Sequence, residues 1–377
     1  MLGINNVKDC YGCGVCAAAC PKHCVRMVES AEGFYVPQVD GALCIQCGLC
    51  SKVCPKLNRP KPAPEAQPVV QKFAAWIKDE ELRYRSSSGG IVMAVARELS
   101  KRGYRLCGVK YVPEHVRAEH FIAESFADFL PAMGSKYIQS FTEPAFTKFE
   151  RGKKYFVVGT PCQIYALRTW IRKQGREDDF FLMDFFCHGV PSAHLWRSFL
   201  KAYGKGHPLE RITAAWRDKA RFGWEDSWCT KLMDGDQVLY SSSRKEGCKF
   251  YHHFLRCDAQ NMECYHCPFN DYSGASDLRC ADHWGNQYSD RSKGVSLVYA
   301  LTAMGSELWS KVREGCVSEE LPLSDLIVSH NYRCQRFGRS TFLALLRSKC
   351  GFGVAHVFRR MLDVMLRAAK IARLYHG

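Results

Sequence analysis

Eight cysteines in the first 55 residues follow one pattern used twice. Cys10, Cys13, Cys16 and Cys20-Pro21 form the first run; Cys44, Cys47, Cys50 and Cys54-Pro55 form the second. Each reads C-x2-C-x2-C-x3-C-P, a spacing that holds an iron–sulfur cubane. Three thiolates spaced by two residues wrap a tight loop round one cage, so each sulfur meets its own iron. The cysteine before proline points away and serves the other cluster. The spacing predicts two interlocked 4Fe–4S clusters, one on Cys10, Cys13, Cys16 and Cys54, the other on Cys44, Cys47, Cys50 and Cys20. Gly12, Gly14, Ala17, Ala18 and Gly48 leave room for backbone amides to approach the sulfurs. A zinc site or a disulfide scaffold does not require the doubled spacing. Cys24 fits neither run and reads as a small packing residue.

At 377 residues the chain has room for two or three domains. The N-terminus MLGINNVKDC lacks a signal peptide's apolar stretch, and no apolar run is long enough to span a bilayer. With 21 cysteines, this points to metal ligation in a reducing cytoplasm. The net charge of +15 counts cysteines as neutral. Three cubanes carrying about −2 each would bring it to about +9. The surplus favours an anionic partner: a nucleotide cofactor, an acidic carrier such as ferredoxin or flavodoxin, or the anionic inner face of a membrane. No nucleic-acid recognition motif accompanies the basic composition, so nucleic acid is not an expected partner.

The chain divides by composition. Residues 1–58 read as an α+β ferredoxin-like dicluster domain, with GFYVPQVD (33–40) as a short strand. Residues 59–70 are a proline-rich, stiff linker. Over 71–316, strand and helix patterns alternate: strands at 72–77, 105–112 and 293–301, strands running into turns over 153–161 and 179–189, helices at 89–103, 162–173, 191–204 and 306–314, with a more β-rich stretch over 212–256. That alternation predicts an α/β domain with a largely parallel or mixed sheet. Residues 317–377 form a helical C-terminal extension; its basic segment 353–377 packs on the domain or docks peripherally on a membrane or partner.

Three turns in the α/β part carry site-like chemistry. Arg85-Ser86-Ser87-Ser88-Gly89-Gly90 precedes a helix and offers backbone N–H groups to phosphate, or serves as an ordinary serine cap. Gly159-Thr160-Pro161-Cys162-Gln163 follows an apolar strand and opens a helix, as does Cys187-His188-Gly189. Both cysteines then sit where open α/β sheets bind ligands. Downstream, Cys264-Tyr265-His266-Cys267 supplies two thiols on one loop. With Cys162 and Cys187 these make four, enough for a third cubane. A zinc ribbon on Cys264 and Cys267, or a nucleophilic Cys162 beside His188, are the competing readings.

The motifs RSSSGG (85–90), GSKYIQS (134–140), VVGTPCQIYALR (157–168), DFFCHGVPS (184–192), WRDKARFGW (216–224), CYHCPF (264–269), SDLRCADHWG (276–285) and KGVSL (293–297) occur in order. Together they resemble the coenzyme F420 hydrogenase/dehydrogenase beta-subunit family. The resemblance covers roughly residues 70–310. It implies an iron–sulfur flavoprotein oxidoreductase, with FAD converting two-electron hydride chemistry into single-electron steps. By motif matching, Ser87, Ser88, Gly89, Gly90, Lys136, Thr160 and Lys293 are the candidates near the flavin, and Asp282 and His283 either gate protons or cap a turn. His283 departs from the family's usual phenylalanine, and Asn261-Met262-Glu263 stands where an arginine and a serine are usual. Cys257 and Cys280 look like local additions, which leaves open whether either replaces a ligand of the third cluster.

The resulting expectation is an enzyme that moves electrons between a hydride-type substrate, such as coenzyme F420 or another reducible small molecule, and a one-electron carrier. The alternative is an electron-transfer subunit without its own substrate, serving a partner enzyme, in a setting such as polysaccharide biosynthesis.

Overall fold

The computed structural model describes residues 4–7, 9–58, 71–269, 275–284, 288 and 292–322. The linker expected at 59–70 and the basic helix expected at 353–377 lie outside them.

The doubled ladder folds twice in the same way. Helices Val15–Ala18 and Leu49–Lys52 each start after a glycine in the left-handed region, Gly14 at φ 71° and Gly48 at φ 71°. A side chain is strained in that conformation, so the turn before each helix calls for glycine. Between the two helices runs an antiparallel hairpin of β1 (Val25–Glu29) and β2 (Tyr35–Val39), the second of which falls on the expected 33–40 segment.

The rest of the chain contributes two sheets. In order, its strands are β3 (Gln71–Ile77), β4 (Arg105–Val112), β5 (Arg117–Ala123), β6 (Ser140–Phe141), β7 (Tyr155–Val158), β8 (Phe180–Phe185), β9 (Thr213–Arg217), β10 (Trp228–Asp234), β11 (Gln237–Ser243), β12 (Leu278–Asp282), β13 (Ser296–Ala300) and β14 (Cys316–Glu320). Nine of them form one sheet in the order β14-β3-β13-β12-β8-β7-β4-β5-β6. The sheet is mixed. β4–β7, β7–β8, β8–β12 and β5–β6 are parallel, and the other four pairings are antiparallel. The reason lies in the connections. Helix Pro161–Gln174 provides the long crossover that a parallel β7–β8 pair needs, whereas β4 turns into β5 through the short link Pro113–His115. β14 pairs with β3, so the sheet runs on to Glu320, beyond the boundary set at 316 from composition.

Alternation along β7 assigns the two faces. Phe156 packs in a cluster with Ile91, Val95, Leu308 and Trp309, from helices Ile91–Lys101 and Ala303–Val312. Tyr155 and Val157 face the other way, onto Ile164, Leu167 and Ile171 of helix Pro161–Gln174. Val15, Ala19 and Val53 of the N-terminal unit join this second cluster, so the ladder docks on that face of the sheet. The β-rich stretch becomes the separate sheet β11-β10-β9, packed on helices Ala193–Tyr203 and Lys249–Leu255 through Trp196, Phe199, Trp216 and Phe250. Among the described residues, no helix is long and apolar enough to cross a membrane.

His120 on β5 is buried, with Nε2 3.2 Å from the Val158 carbonyl and its ring against Phe146. Burial lowers it to about 4, whereas the unfolded residue titrates near 6.5. The unfolded chain therefore binds more protons between those values. Stability should fall as pH drops from about 6.5 through about 4, by about 3 kcal/mol in all. Urea unfolding at a series of pH values should show that slope in the wild type and a flatter one in His120→Leu.

Candidate metal centre

The neighbouring parallel strands β7 and β8, in register at Val158 and Met183, send their turns out over the same edge of the sheet. After β7, Thr160 and Gln163 cap the next helix reciprocally, with the Thr160 N–H donating to Gln163 Oε1 at 2.9 Å. This fixes Cys162 in the helix's first turn. After β8 comes Cys187, whose sulfur accepts the Gly189 N–H at 3.3 Å. The third contributor is the tight turn Met262–His266, carrying Cys264 and leading into Cys267. Two backbone bonds bind this stretch to the Cys187 loop: Ser192 N–H to the Ala259 carbonyl, and Asn261 N–H to the Val190 carbonyl. A β-carbon on Gly189 would lie 3.1 Å from Cys264 Cβ, so the two loops meet closely only because residue 189 is glycine.

Cys162, Cys187, Cys264 and Cys267 line one cavity, together with Tyr11, Gln139 and Thr160. Among the described residues, neither Cys257 nor Cys280 lines it. Cys280 lies behind, near the buried Asp184–Arg279 ion pair, and Cys257 Sγ is 3.4 Å from His188 Nε2. Burial, then the charge of Cys267, pushes Cys162 up. Burial pushes Cys187 to about 12 and holds Cys264 well above its usual value, with Cys187, Cys162 and Cys267 adding to the rise at Cys264. Desolvated thiols crowded like this exist as thiolates only if positive charge sits among them. The four surround the cavity instead of gathering on a point. Among the described residues, no three Cys, His, Asp or Glu side chains are close enough to share a single metal ion. A donor set of four separated thiols round one space fits a cationic cage of several irons.

The two expected ladder groups lie close together. Cys10 and Cys16 feel the charge of Cys54, Cys16 also that of Cys50, and Cys50 feels Cys20 and Cys47. Burial raises Cys10 to about 11, and its sulfur accepts the Gly12 N–H at 3.3 Å. Cys24 is buried in the unit's core, with its sulfur 3.3 Å from Cys20 Sγ. The first group lies toward the cavity. Cys13 feels the charge of Cys162, and Tyr11 forms part of the cavity wall.

The seven candidates near a flavin separate. Thr160 stands at the cavity, with its hydroxyl 3.2 Å from Cys162 Sγ. Ser87, Ser88, Gly89 and Gly90 form a turn braced by its surroundings. Ser135 donates to Ser87 Oγ through both its N–H and its hydroxyl, Ser88 Oγ donates to the Val295 carbonyl, and the Gly89 N–H donates to Ser296 Oγ. Lys293 pairs with Glu80. Burial lowers Lys136 to about 7, yet Nζ donates to the carbonyls of Pro131, Ala132 and Met133, an arrangement that the ammonium form satisfies. The side chains of Ser87, Ser88, Lys136 and Lys293 thus all have partners within the protein. Asp282 accepts from Arg217, and the His283 N–H donates to the Val295 carbonyl.

Residues 152–325 match the family model for the C terminus of the coenzyme F420 hydrogenase/dehydrogenase beta subunit, and residues 9–58 match the 4Fe–4S dicluster domain. Residues 152–325 thus form a domain of this beta-subunit type, preceded by a dicluster domain at residues 9–58. No curated protein matches it. Among solved structures it is similar to a chain of the F420-reducing NiFe hydrogenase complex from Methanosarcina barkeri, with 17% identity, a TM-score of 0.49, and coverage of 77% of this chain and 93% of that chain.

Two departures from the beta-subunit family's pattern hold the two parts together. Asn261 Nδ2 donates to the Cys10 carbonyl at 2.8 Å, and Glu263 forms an ion pair with Lys56, two residues after Cys54. Gln139 and Thr142 were not singled out from sequence. Gln139 accepts from the Tyr35 N–H and donates to the Tyr11 carbonyl; Thr142 donates to the Cys13 carbonyl. Gln139 stands within the GSKYIQS motif, but one chain offers no signal that it reaches another domain. Lys219 was also missed. It is buried, and Nζ donates to the carbonyls of Arg83, Ser88 and Lys293, tying the 85–90 turn to the loop before β13.

Lys219→Met should leave three carbonyls without their donor. An unfolding free energy about 3 kcal/mol lower or more is expected in urea titrations, since each buried orphan costs about 1–3 kcal/mol.

Proposed function

We propose that this protein is an iron–sulfur oxidoreductase with three 4Fe–4S clusters, passing electrons between a hydride-type substrate and a one-electron carrier. Cys10, Cys13, Cys16 and Cys54 would hold one cluster, and Cys44, Cys47, Cys50 and Cys20 the second. Cys162, Cys187, Cys264 and Cys267 would hold the third. The carrying observation is that these last four cysteines, from three separate stretches, line one cavity beside the first ladder group. When bound, the clusters accept and release single electrons.

The chain's own residues set the conditions for that relay. Desolvation of Cys162, Cys187 and Cys264 disfavours their thiolates unless a cationic cage sits among them. Gln139, Thr142 and Asn261 hold the backbone of Tyr11, Cys13 and Cys10 at fixed positions against the α/β domain. The N–H groups of Gly12 and Gly189 donate to ligand sulfurs, which favours the more negative, reduced state of a cluster.

FAD and coenzyme F420 enter the proposal through the family. Of the residues named for the flavin, only Thr160 lines the cysteine cavity, so the relay rests on the cysteines. That separation also favours a second reading, an electron-transfer subunit that takes its electrons from a partner enzyme. Isolated turnover separates the two. Reduced F420 or NAD(P)H that bleaches the anaerobic protein without a partner supports the enzyme; a chain lacking flavin and inert to both supports the subunit.

The cluster assignment has its own test. Anaerobically prepared protein should contain about 12 irons per chain. Cys162→Ala should lose about four of them and keep the low-temperature EPR signal of the N-terminal pair. Unchanged iron in that variant would remove the third cluster.

A further inference from the structure

We propose that the surface around Cys47 is the port through which electrons enter or leave, and that it docks a small, acidic one-electron carrier. The proposal rests on the relay reading, since it assigns direction to the same three centres. The ladder's two groups differ in exposure. Cys13, Cys16 and Cys54 are buried and Cys10 is half-buried, and this group lies toward the Cys162 cavity. In the other group Cys47 is exposed, Cys44 and Cys50 are half-buried and Cys20 is buried. An outside carrier therefore approaches the second group more closely.

The skin over that group is unusual. Leu43 and Ile45, on either side of Cys44, are 56% and 58% exposed. Of the seven large hydrophobic side chains exposed among the described residues, these two flank a single cysteine of this group. Scattered apolar residues on a surface need no explanation, but a cluster beside a functional group marks an interaction site.

Size and charge select the occupant. Two apolar side chains are too few for an obligate oligomer interface, which buries about 2,000 Å² or more, but they suit the small contacts of transient redox encounters. Lys22 and Lys52, each two residues beyond a cysteine of this group, are exposed. Asp40, also exposed, accepts the Ala42 N–H and keeps its negative charge, which the two lysines outnumber. An apolar centre with a basic rim steers an acidic partner and lets it leave quickly. A basic carrier would be repelled, by these lysines and by the chain's overall charge of +15.

The test uses the full-length, cluster-loaded protein and a plant-type 2Fe–2S ferredoxin as an acidic probe, with binding measured by calorimetry at low and high salt. Iron content and EPR are recorded for every sample. Wild type should bind, and the affinity should fall steeply with salt. Ile45→Glu and Lys52→Glu should each weaken binding about tenfold or more while keeping full iron. Val238→Glu, at an exposed apolar residue on the distant β11, should bind as wild type does. Unchanged affinity in both patch variants with full iron would overturn the port. So would equal binding of a basic cytochrome c, or wild-type dimers that Ile45→Glu breaks into monomers. Iron-free wild type would instead defeat the relay reading, a result the metal assay separates from loss of docking.

Discussion

A cluster on the cavity cysteines would need them as anions, and the fold places them where an anion is costly. Cys162, Cys187 and Cys264 are half-buried, and each is pushed toward its neutral form by lost hydration and by its neighbours. Such an arrangement is stable in a working state only with positive charge in the cavity between them. Much of the surrounding fold serves that cavity. Two adjacent parallel strands aim two of the cysteines at one place, and a tight turn bound to the Cys187 loop by backbone bonds brings the other two.

The N-terminal unit is aligned to the cavity mainly by directional bonds. Gln139, Thr142 and Asn261 reach across to backbone groups of the first ladder, and Glu143 accepts from both the Met27 N–H and Arg26. Arg197 pairs with Glu29 at the hairpin, and Lys56 pairs with Glu263 beside the cavity loop. Apolar packing alone tolerates sliding, whereas hydrogen bonds to specific carbonyls fix register. A relay between metal centres depends on distance, so this polar clamp is where docking meets function.

Legibility was uneven, for identifiable reasons. The ladder was readable because ligand spacing is local: a cubane loop closes within a dozen residues. Strands β7 and β8 with their following helices were readable from apolar runs ending in glycine, threonine or proline. Strands β5, β6, β12 and β14 were not separately anticipated. β6 is only two residues long, and β14 ends in Ser318-Glu319-Glu320, too polar to read as a strand without its partner β3. At the 85–90 turn, sequence supplied hydroxyls, glycines and nearby lysines that looked suited to phosphate. Folding commits much of that chemistry to bracing the turn itself, through Ser135, Ser296 and Lys219. Asn261 and Glu263 stood out only as departures from a pattern, because their partners lie more than 200 residues away.

By itself, the sequence determined the chemistry: which sulfurs come in runs, which pair shares a loop, and that single electrons are the currency. Local spacing is enough for that, since the geometry of a metal loop is written in consecutive residues. Only the tertiary structure decided adjacency. It brought Cys162, Cys187 and the Cys264 loop to one cavity, turned the buried ladder group toward it, and left Cys47 at the surface. Those relations depend on strand order and on side chains that bond across domains, and neither is encoded in any contiguous stretch of the chain.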